Sequence, residues 1–145
     1  MKYIGITEVE LSTWEKCIII GMEIVNEFSK NFSGGSIEYD TKHIHPDDLR
    51  FFGVTLRYEK LEVFMTIQDR KELNKPFVYM DGIKTQGESR GKGLTTKVLD
   101  SLSSLVRKGV FKYLNVKDNN SEFWAKMLER YDFIKPKYVT GYEAG

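Results

Sequence analysis

The chain has 145 residues, of which 41% are hydrophobic and 30% charged, and a formal net charge of +1. That is one domain's worth of chain, residues 1–145, able to bury a core without disulfide or metal staples, and its charge balance excludes a whole-molecule attraction for polyanions. Nine Phe, eight Tyr and two Trp exclude a disordered chain, and Cys17, the single cysteine, excludes an intrachain disulfide and suits a reducing, cytoplasmic setting.

The first ten residues, MKYIGITEVE, carry acidic side chains and no apolar stretch of signal-peptide length. The longest apolar run, near Ile18-Ile19-Ile20, is far too short to span a bilayer, so no membrane partner is expected. Tyr3 to Thr7 reads as a first strand. Ser12-Thr13-Trp14-Glu15 reads as a capping box, in which Ser12 accepts from the amide of Glu15 and Glu15 reaches back. Apolar residues at Trp14, Cys17, Ile18, Gly21, Val25 and Phe28 then follow helical spacing, and Ser33-Gly34-Gly35 ends the helix.

The next stretch reads mainly as strands. Ile37 to Ile44 is a weak one; Phe52 to Tyr58 and Leu61 to Ile67 are stronger, with a turn at Glu59-Lys60. His43 and His45 lack a cysteine partner and fit a strand end better than a metal site. Asp69 to Lys75 is polar and reads as a loop. Pro76 introduces a strand from Phe77 toward Thr85, in which Gly82 marks a bulge or a close backbone approach.

Past residue 93 the period changes. Leu94, Val98, Leu99, Leu102, Leu105 and Val106 form one helical stripe, and Gly109 stops it after Arg107 and Lys108, cations suited to the negative end of the dipole. Val110 to Val116 reads as a strand. Asn119-Asn120-Ser121 offers helix caps, Phe123, Trp124, Met127, Leu128 and Tyr131 form a short helix face, and Phe133 to Val139 reads as a last strand. Strands in series followed by strand–helix alternation predict an α/β (α+β) domain with a mixed, mostly antiparallel sheet and helices on both faces.

The segment between the Thr85 strand and the helix, Gln86-Gly87-Glu88-Ser89-Arg90-Gly91-Lys92-Gly93, carries the chemistry. A helix start presents free N–H groups and the positive end of its dipole, and glycines let an anion come close to the backbone. The P-loop spacing fails, because Gly87 to Gly91 is one residue short and Lys92 is followed by Gly93. The dinucleotide fingerprint fails too, because Gly91-Lys92-Gly93-Leu94-Thr95-Thr96 has no third glycine. Basic residues Lys84, Arg90, Lys92, Lys97, Arg107, Lys108, Lys112 and Lys117 face only Glu88 and Asp100 across this region, which favours an anionic ligand as much as a solvated helix face.

What fits is a resemblance. Glu88-Ser89-Arg90-Gly91-Lys92-Gly93-Leu94 resembles the coenzyme A pyrophosphate loop of the GNAT superfamily of N-acetyltransferases, with Glu88 where Gln or Arg is usual. A second block agrees: Leu114 to Asn120, then the helix ending at Tyr131, then Asp132-Phe133 in place of Gly-Phe. The resemblance covers roughly residues 76–135.

It implies acetyl-CoA as acyl donor and an unidentified primary amine, of a small molecule or a protein, as acceptor. It implies that the backbone at Ile83, Lys84 and Thr85 bonds the pantetheine arm, that the amides of Arg90, Gly91, Lys92, Gly93, Leu94 and Thr95 hold the pyrophosphate, and that Asn120 or Asn119 lies beside the arm. The family's usual acid falls on Leu128, which donates no proton. Tyr131 and Asp81 are the remaining candidates, as acid and as base through water, against ordinary roles in packing and in solvent; Trp124 lines the cleft or packs in the core. A non-catalytic domain of the same fold that binds CoA or a protein partner is the alternative. Phe111 and Tyr113 alternate with Lys112 in a way that puts one face in the core, which argues against nucleic-acid binding. The acceptor would be set by roughly Trp14 to Arg50; Asp47-Asp48 and the neighbouring Phe51-Phe52 fit an amine site, and fit ordinary packing and a helix start after His45-Pro46 as well. No motif sets the oligomeric state, which leaves a homodimer open.

Overall fold

The computed structural model describes residues 13–44, 49–70, 75–85, 93–116 and 122–136. The elements run α1 (Thr13–Asn31), β1 (Ser36–Ile44), β2 (Leu49–Tyr58), β3 (Leu61–Arg70), β4 (Lys75–Lys84), α2 (Leu94–Arg107), β5 (Leu114–Val116), α3 (Glu122–Arg130) and β6 (Ile134–Pro136). The strands form one six-stranded mixed sheet in the order β1-β2-β3-β4-β5-β6. The first four pair antiparallel, and β4-β5-β6 pair parallel. The proposed first strand at Tyr3 to Thr7 and the cap residue Ser12 lie outside the described residues.

Period-two alternation builds the core face of the sheet. Phe52, Val54 and Leu56 on β2, Leu61, Val63, Met65 and Ile67 on β3, and Val78 and Met80 on β4 are all buried. They join the buried residues of α1 and α2 in one cluster. Each such side chain contributes about 1.5–3 kcal/mol when fully buried, so this face dominates the stability of the fold.

The α1 stripe is rotated from the one its spacing predicts. Cys17, Ile20, Ile24 and Phe28 are buried, while Ile18 and Val25 only flank the core. Gly21 is buried and common to both stripes, and a Cβ at this position would lie 2.1 Å from Cδ1 of Phe52, so α1 approaches β2 closely there. Asn31 ties α1 to α2, donating from Nδ2 to Oγ of Ser101 at 2.8 Å.

Three boundaries move for backbone reasons. In the polar stretch Asp69 to Lys75, Asp69 and Arg70 extend β3 and Lys75 opens β4, Asp69 pairing with Pro76 and Arg70 with Lys75, while residues 71–74 lie outside the described residues. A ladder is made of main-chain bonds, and it continues past Ile67, the last core residue, whatever the side chains are. At the end of α2 the amide of Gly109 donates to the carbonyl of Val106 at 3.0 Å and that of Val110 to Leu105 at 3.0 Å, a Schellman closure. Val110 is consumed by that closure, so β5 starts only at Leu114. Phe133 precedes β6 instead of opening it, although its carbonyl accepts from the amide of Leu114 at 2.7 Å.

No described helix is long and apolar enough to cross a membrane.

Candidate functional site

The helix after the glycine-rich segment begins without a side-chain cap. Gly93 is the N-cap of α2, with φ 75° and ψ 15°, in the left-handed region that glycine occupies without a Cβ penalty. Its carbonyl accepts from the amide of Lys97 at 2.9 Å, closing the first turn. No side chain caps this end and no acidic residue lies in the first turn. The first-turn amides and the positive end of the dipole therefore face no competing carboxylate on the helix itself. Leu94 is buried and anchors the turn, while Thr95 is half-buried. Arg90, Gly91 and Lys92, and likewise Asn119 and Asn120, lie outside the described residues.

The strand leading to that turn is shared unequally by its neighbours. Met65 pairs with Met80 and Phe64 with Gly82, which leaves Asp81 as an extra residue in β4. This is the irregularity that Gly82 marks in the sequence, with Asp81 as the bulged position. On its other side β4 pairs with β5 through Val78–Leu114, Tyr79–Asn115 and Met80–Val116 among the described residues. From Asp81 to Lys84 the only ladder partner of β4 among the described residues is β3. Ile83 and Thr85 are half-buried and Lys84 is exposed, its ammonium 5.8 Å from the centre of the Phe64 ring.

Two residues beside this edge were not singled out by spacing or motif. Asn115 is fully buried, and neither its Nδ2 nor its Oδ1 has a hydrogen-bond partner. Tyr79, its register partner on β4, is half-buried; burial and, second, the charge of Asp81 push its phenol pKa up, so it stays protonated at neutral pH. The signal for Asn115 was present in the pattern Leu-Asn-Val, since Asn is a poor strand former at the centre of a buried strand.

The other candidate groups divide. Asp81 is exposed at the bulge. Tyr131 is buried and donates its hydroxyl to Oδ1 of Asp100 on α2 at 2.7 Å. Its ring meets Phe133 edge-on at 5.8 Å, and its pKa is pushed up to about 12 by burial and by the bond to Asp100. Tyr131 is thus fixed between α2 and β6, and its proton is held by a carboxylate. Leu128 and Trp124 are half-buried and pack against the core, Trp124 edge-on to Phe123 at 4.8 Å.

Among the basic residues, Arg90, Lys92 and Lys117 lie outside the described residues, and two others have defined neighbours. Lys97 sits over the Phe32 ring at 4.9 Å, and Lys108 lies 3.7 Å from Glu27. These two belong to an open polar groove of about 460 Å³ or border it; its lining includes Glu27, Asn31, Gly93, Lys97, Asp100 and Arg130. Phe111 is buried, 6.5 Å from Phe133, and Tyr113 is half-buried, so neither offers a stacking platform. No cluster of His, Cys, Asp or Glu suited to a metal occurs among the described residues. In comparison with known proteins, no family model matches the chain, and no curated protein or solved structure matches it either.

Proposed function

We propose that the chain is an acyl-CoA-dependent N-acetyltransferase of the GNAT kind, acting in the cytoplasm on a primary amine of a small molecule or a protein. One observation carries this reading: α2, which follows the glycine-rich segment of the sequence, opens on Gly93 in the left-handed region with neither a side-chain cap nor an acid in its first turn. The main-chain groups of Ile83 to Thr85 then serve an extended polar arm as a neighbouring strand would, and the first turn of α2 serves a pyrophosphate. A buried amide at Asn115 without a partner fits a ligand rich in amide groups.

Acetyl-CoA supplies a thioester whose carbonyl carbon an amine attacks directly. The chain's part is to hold the arm straight along β4, to direct a main-chain amide near the bulge at the developing oxyanion, and to keep a protonated phenol, Tyr79, beside the same edge. In this reading Asp81, at the bulge, takes the amine's proton through water as the C–N bond forms, and the C–S bond breaks with CoA leaving as a thiolate that takes up a proton.

A second reading, a domain that binds CoA without turnover, is favoured by Tyr131 being tied to Asp100 and by Leu128 in the acid's usual place. Thiol release measured across a panel of amines separates the two. Turnover with any amine supports the enzyme; tight binding with silence across the panel supports the binder.

A further inference from the structure

Asn115 is a costly residue where it stands. It sits at the centre of β5, between Leu114 and Val116, in a strand buried along its whole length. Its side chain is fully buried and makes no hydrogen bond through either polar atom. Burying an amide without partners destabilises a fold, and an apolar residue would serve the core better. Such a group calls for a role outside packing.

Its surroundings suggest which. Asn115 pairs in register with Tyr79 on β4, and Met80–Val116 is the last β4–β5 pair among the described residues. The orphaned amide therefore lies on the strand beside β4, whose backbone the reading above gives to the arm. Resting on the acyl-CoA reading above, we propose that Asn115 is the side chain that positions the pantetheine arm, pairing its own amide with a secondary amide of that arm. The match is chemical: Asn115 offers one donor group and one acceptor, both unused, and a secondary amide presents one of each. Engagement requires the side chain to swing toward the end of the ladder. That motion breaks no hydrogen bond, because none is made.

The test is a paired measurement on Asn115→Leu, which keeps the branching at Cγ, and on Asn115→Val. Thermal unfolding of the free protein is expected to rise by about 3 °C or more, because an unpaired amide is replaced by an apolar group. Acetyl-CoA affinity is expected to fall at least about tenfold. ADP, which has the pyrophosphate but no arm, is expected to bind both variants and the wild type alike. Unchanged acetyl-CoA affinity in a folded variant overturns the role of Asn115 and leaves the acyl-CoA reading standing. A fall in melting temperature in both variants also overturns it, since the amide would then be satisfied within the fold. Wild-type protein that binds neither ligand overturns both.

Discussion

Replacing Tyr131 with Phe removes one oxygen and asks whether this residue is structural or catalytic. Its hydroxyl donates to Oδ1 of Asp100 at 2.7 Å, and its ring stays packed against Phe133 after the change. A hydrogen bond to a charged acceptor is worth about 1.5–3 kcal/mol, and the exposure of Asp100 places this one near the bottom of that range. The pH dependence has a definite sign. The phenol pKa rises from 10.0 to about 12 on folding, so the folded state holds the proton more tightly. The stabilisation is fully present below pH 10 and is lost as pH climbs toward 12, by roughly 2 kcal/mol. Denaturant melts of wild type and Tyr131→Phe from neutral to strongly alkaline pH read this directly. Wild type is expected to be the more stable at neutral pH by about 1.5 kcal/mol, and the gap is expected to shrink between pH 10 and 12. Thiol release, where present, is expected to survive in Tyr131→Phe. A variant as stable as wild type at every pH but catalytically dead would refute the reasoning.

Other substitutions probe the scaffold around the site. Gly21→Val places a Cβ within 2.1 Å of Phe52 and is expected to cost about 2 kcal/mol or more, read from the urea midpoint; a neutral variant contradicts the close approach of α1 to β2. Gly93→Ala meets no atom within 4 Å, so its cost comes from the left-handed backbone alone, about 1 kcal/mol, together with weaker acetyl-CoA binding. Equal stability and affinity in that variant would remove the left-handed cap from the account. Asn31→Ala is expected to lose about 1 kcal/mol as the 2.8 Å link to Ser101 goes, with acetyl-CoA affinity unchanged; loss of affinity would place the polar groove in the site.

The sheet was legible wherever one face had to be buried. Period two in Leu61 to Ile67 and the charged turn Glu59-Lys60 predict β3 and its hairpin, and Gly82 predicts the irregularity realised at Asp81. The stripe of α2 and its stop at Gly109 were equally plain. What escaped the sequence depends on partners far along the chain. Ile20 and Ile24 are buried where Ile18 and Val25 were expected, an outcome of how α1 packs on the sheet that no local period encodes. Val110 is apolar and reads as strand, yet the helix closure claims its amide. In the site, glycines announced the turn at Gly93 because conformation is written in residue type. Asn115 went unnoticed because burial without a partner is a property of the packed sheet, and Tyr79 because its pairing with Asn115 joins residues far apart in the chain. The bond between Tyr131 and Asp100 joins residues with no common motif.

Isothermal titration of the protein with acetyl-CoA tests the central claim most directly. A first helix turn without cap or acid and the glycine-rich segment before it predict saturable binding with a dissociation constant of about micromolar order. They also predict that Gly91→Asp abolishes it by bulk and like charge. Absence of any heat at millimolar acetyl-CoA, or full affinity in Gly91→Asp, would contradict the account.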